Sequence, residues 1–68
     1  MIVFSTVLQV NGQPTLYSVY KNGETAFLNP SRSGKAPILL ATMQDASWQI
    51  RGTSDETLVR QVLNEIRD

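Results

Sequence analysis

The 68-residue sequence contains no cysteine and no histidine. Without cysteine there is no disulfide and no thiolate chemistry, and without either residue the usual zinc ligand sets are excluded. The missing histidine also removes the side chain that most often carries general acid–base work near neutral pH. An excess of charge of either sign is absent too. Six Lys and Arg balance six Asp and Glu, so no net field draws the chain toward phosphate backbones or anionic membranes. No apolar run approaches the roughly 18 residues that a membrane-spanning helix needs. The start Met1-Ile2-Val3-Phe4 lacks the positively charged lead of a signal peptide. The expectation is a soluble, cytoplasmic chain with no membrane partner.

Length sets the next bound. Residues 1–68 supply material for a single domain, and a chain this short buries only about 60% of the surface its unfolded form exposes. Small domains offset that shortfall with disulfides, a metal or self-association. Composition removes the first and the usual form of the second, which leaves self-association.

Asn11-Gly12 and Asn22-Gly23 punctuate the N-terminal half, each between stretches rich in β-branched and aromatic residues. Asn-Gly favours a type I′ hairpin turn, because both central positions of that turn need positive φ. Strands are therefore expected over about Ile2–Val10, Gln13–Lys21 and Glu24–Asn29. With both Asn-Gly pairs as two-residue loops, one face carries Phe4, Val19 and Ala26 in a row, then Thr6, Tyr17 and Leu28. The other face carries Val3, Tyr20 and Thr25, then Ser5, Ser18 and Phe27, then Val7 and Leu16. The same register opposes Lys21 and Glu24 across the second turn.

The stretch Asn29 to Pro37 holds two prolines, a glycine and small polar residues, which is loop chemistry. Beyond it, Ile38–Met43 reads as a fourth strand and Trp48–Arg51 as a short fifth. From Thr53 the hydrophobic period changes to 3.6. Leu58, Val59, Val62, Leu63 and Ile66 share one helical face. Thr53 with Glu56 fits a capping box, and Ser54 is an alternative cap. The fold expected is α+β: an antiparallel β-meander of four to five strands followed by one C-terminal amphipathic helix packed on one sheet face.

Candidate chemistry is sparse. The carboxylates Glu24, Asp45, Asp55, Glu56, Glu65 and Asp68 fall mostly at turns, in the first helical turn or at the terminus, where solvation accounts for them. Ser31 or Ser33 with Lys35 lacks any spacing that supports a nucleophile pair. Gly34-Lys35 is no phosphate loop, because Ala36 stands where Ser or Thr would bind magnesium and Pro37 blocks a following helix. No catalytic, metal or cofactor residue is assigned, and the chain is read as a non-enzyme.

One helix covers one face of a small sheet. The second face keeps Val3, Val7, Leu16, Tyr20 and Phe27, more apolar material than a solvated antiparallel face normally shows. Two outcomes satisfy that face: a homodimer or protein partner laid against it, or a sheet curled into a partly closed barrel. A second ligand candidate is the basic loop, with Arg32 and Lys35 near Tyr17, Tyr20, Phe27 and Trp48. Exposed aromatics beside cations bind single-stranded nucleic acid weakly, provided the rings face water. Trp48 is either a partly exposed anchor or a lid over the core.

Overall fold

The computed structural model describes residues 1–32, 34 and 36–67. Five strands, β1 (Ile2–Val10), β2 (Gln13–Asn22), β3 (Thr25–Pro30), β4 (Leu39–Gln44) and β5 (Ser47–Arg51), precede one helix, α1 (Glu56–Ile66). The strands form one antiparallel sheet in sequence order, β1 to β5. The sheet is open, with β1 and β5 as its edges, so the barrel alternative does not hold.

The first turn matches its sequence. Asn11 and Gly12 have φ of 52° and 77°, the two positive values of a type I′ turn, and Val10 pairs with Gln13. The second turn differs. Its central residues are Gly23 and Glu24, flanked by the pair Asn22 and Thr25. Gly23 has φ 62° and Glu24 is not in the positive region, which describes a type II′ turn, where glycine is needed only at the first central position. Pairing between β2 and β3 is consequently shifted by two residues from the expected register. Val19 opposes Leu28 instead of Ala26, and Tyr20 opposes Phe27 instead of Thr25. The expected Lys21–Glu24 cross-strand pair is lost. A shift of two preserves the alternation of faces, so every side chain stays on its expected side.

The core lies between the sheet and the helix. Leu8, Val10, Tyr17, Val19, Ala26, Leu28, Leu39 and Ala41 from the strands close on Leu58, Val62 and Ile66 of α1. The helix is capped by Asp55, whose carboxylate accepts from the Thr57 N–H. Thr53, the expected cap, instead accepts a bond from the Asp55 N–H through its hydroxyl. At the other end Lys21 Nζ donates to the Ile66 carbonyl at 2.7 Å, placing a cation at the negative end of the helix dipole. The same ammonium lies 6.0 Å from the centre of the Trp48 ring. Trp48 is half-buried on the helix side and packs against the core, so its position is that of the lid.

The helix also reaches the β1 edge. Gln61 accepts from the Gln9 N–H at 2.7 Å and donates to the Gln9 carbonyl at 2.9 Å. A carboxamide side chain here takes the place of a neighbouring strand.

Candidate interaction surface

Strand alternation and pairing decide what the face opposite the helix displays. Successive pairs run Val3 to Tyr20, Tyr20 to Phe27, Phe27 to Leu40 and Leu40 to Arg51. These residues make one row across all five strands, apolar for its first four members. A polar row flanks it on one side: Asn22, Thr25, Thr42 and Gln49. On the other side lie Ser5, Ser18 and Asn29, and beyond them the apolar pair Val7 and Leu16.

None of this is covered by the helix. Val3, Val7, Leu16, Tyr20, Phe27 and Leu40 are between 39% and 58% exposed. All five residues expected on the uncovered face are therefore on it, and Leu40 joins them. Tyr20 and Phe27 sit side by side with ring centroids 6.5 Å apart and planes tilted by 35°, a separation and tilt usual for aromatic neighbours. Arg51 is the one charged strand residue on this face, at its far edge. An apolar, aromatic stripe bordered by uncharged polar side chains has the composition of a protein–protein contact, where aromatics are enriched and Lys, Glu and Asp depleted.

The dimensions fit such a contact. The molecule measures 31 × 24 × 17 Å, and its two layers account for the shortest direction. The broad face spans 31 × 24 Å, wide enough for a standard interface. Total accessible surface is 4685 Å², above the about 4,300 Å² expected of a compact monomer of this mass.

The basic-loop candidate is not assembled in the same way. Arg32 borders a shallow depression of about 430 Å³ with Pro14, Thr15, Leu16 and Ser31. Lys35 and Ser33 lie outside the described residues. Trp48 belongs to the helix side of the sheet, away from that depression. Tyr17 is fully buried, and its hydroxyl donates to the Pro37 carbonyl at 2.7 Å, so its ring offers no stacking surface. Burial pushes the Tyr17 phenol above its ordinary value of 10.0.

Among the described residues no cluster of three or more carboxylates, histidines or cysteines is placed to hold a metal ion. No helix among them is long and apolar enough to cross a membrane. Comparison with protein-family models, with curated proteins and with solved structures finds no match.

Proposed function

We propose that this chain is a non-enzymatic interaction module that self-associates through the sheet face opposite α1. The observation that carries the reading is the Val3–Tyr20–Phe27–Leu40 row, half-exposed and bordered by uncharged side chains. A second copy suits it because a two-fold axis brings each patch against itself. A neutral apolar stripe meets its own image without charge repulsion. Among the described residues a strongly charged partner would find only Arg51 on the face and Arg32 at its border.

The test is Phe27→Asp, which places a charge in the middle of the stripe without touching the helix–sheet core. Sedimentation equilibrium at tens to hundreds of micromolar should show the parent self-associated and the variant reduced in mass. Equal masses for the two, with both folded by circular dichroism, contradict the reading.

A second reading rests on the exposed Tyr20–Phe27 pair, which offers a stacking platform for single-stranded nucleic acid. Among the described residues, Arg51 on the face and Arg32 beside Leu16 supply cations near it. This reading predicts chemical-shift changes at Tyr20 and Phe27 on adding an oligonucleotide at low ionic strength, fading as salt rises. No shifts at low salt exclude it.

A further inference from the structure

The first strand offers a second surface, distinct from the face. In a two-residue hairpin the residues flanking the turn form a hydrogen-bonded pair. Val10 and Gln13 are that pair, so the even-numbered residues of β1 direct their N–H and C=O groups to β2. The odd-numbered ones direct theirs outward. Gln9 confirms the assignment, since its outward groups are those taken by Gln61. That leaves the N–H and C=O groups of Val3, Ser5 and Val7 pointing away from the sheet, with no bond to any described residue.

Natural edge strands are usually blunted by a charge, a proline, a bulge, short length or a covering helix or loop. Apart from the Gln61 contact at Gln9, β1 shows none of these. It is nine residues long, IVFSTVLQV, uninterrupted and uncharged. The opposite edge, β5, is five residues and carries Arg51. We infer that the β1 edge pairs antiparallel with β1 of a second copy, about a two-fold axis at Ser5. This rests on the self-association proposed above and specifies a further contact through which copies meet.

The register follows from the Gln61 clamp. Opposing Ser5 to Ser5 sets Val3 against Val7 of the other copy and Val7 against its Val3, which uses all six outward groups on each strand. Sliding by two residues one way sets Val3 against a Gln9 already occupied by Gln61. Sliding the other way leaves the Val7 groups facing only Met1, outside the strand. On the helix side, the same register sets Ile2 against Leu8 of the partner copy. Ile2 is 57% exposed, and this pairing gives its apolar side chain a neighbour. On the other side, Val3 and Val7 of the two copies become adjacent, so the exposed stripe runs on into a ten-stranded sheet. Two such sheets stacked through that stripe close as a tetramer.

Ser5→Pro tests the edge. Its N–H is not used within one copy, and proline is tolerated on an edge strand where the N–H faces solvent. Sedimentation equilibrium is expected to give a tetramer for the parent and a dimer for Ser5→Pro, a dimer for Phe27→Asp, and a monomer for the double variant. If Ser5→Pro is folded and has the parent mass, the edge inference fails while the face reading stands. If Phe27→Asp keeps the parent mass, the face reading fails instead. Should Ser5→Pro unfold, Ser5→Cys in the Phe27→Asp background decides the matter. Hydrogen-bonded antiparallel partners lie about 5.5 Å apart at Cα, within disulfide reach, and the parent has no cysteine to confuse the result. Mild oxidation should convert it to a covalent dimer within the time that Gln49→Cys in the same background stays monomeric. Equal, slow cross-linking of both overturns the inference.

Discussion

Gly52 and Ala46 show how single backbone positions shape this sheet. Gly52 has φ 110°, and a Cβ there would sit against the Ile38 carbonyl oxygen and the Leu39 side chain. Only glycine lets the chain leave β5 so close to the start of β4. Gly52→Ala should therefore destabilise the domain by about 2–4 kcal/mol, combining left-handed backbone cost with a steric clash, as read by urea unfolding. Ala46 presents the opposite case. Asp45 and Ala46 form the third two-residue turn with φ of 52° and 63°, a type I′ turn without glycine. Ala46→Gly should stabilise by about 1 kcal/mol; an unchanged or lower urea midpoint counts against that strain. Tyr17 supplies a pH dependence. Its folded value lies above the unfolded one, so the folded state keeps its proton after the unfolded state has lost it. Stability from this group is complete below about pH 10 and is lost as pH rises through the raised value. Tyr17→Phe should cost about 1 kcal/mol at neutral pH through the lost bond to Pro37, and the gap to the parent should narrow above pH 10. A gap that stays constant to pH 11 would show that the phenol does not sense the fold.

At the scale of elements, strand and helix types were legible because period and turn chemistry agreed. Alternation in β1 and β2 places Tyr17 and Val19 on one side and Val3, Val7, Leu16 and Tyr20 on the other, and the core follows that division. The register of β3 was not legible. An Asn-Gly pair signals a type I′ turn when both residues are central, but the same glycine also starts a type II′ turn one residue later. The second option brings Phe27 beside Tyr20 and Leu28 beside Val19, and large side chains paired on both faces favour it. Leu40 was missed for a related reason. The long connection after β3 conceals the register of β4, and only that register sets Leu40 opposite Phe27. The cap, Asp55, lies two residues after Thr53 and one after Ser54, because all three carry capping side chains and the sequence does not rank them. Asp55→Ala should accordingly cost about 1 kcal/mol, with Thr53→Ala costing less. The reverse order in thermal melts would restore Thr53 as the cap.

For the whole molecule, the governing fact is that one helix lies on one side of a five-stranded sheet. Eleven buried apolar residues fill that side, and six half-exposed ones occupy the other. Among the described residues no second helix or sheet lies over them. The proposed association would cover them and would link stability to concentration, because a partner that binds only the folded form adds to its stability. The direct measurement is the melting temperature of the parent and of Phe27→Asp across a hundredfold range of protein concentration. The parent midpoint should climb with concentration, and the variant should climb less. A parent midpoint that stays flat over that range, in a sample that sediments as a monomer at its upper end, would contradict the claim that copies meet through this face.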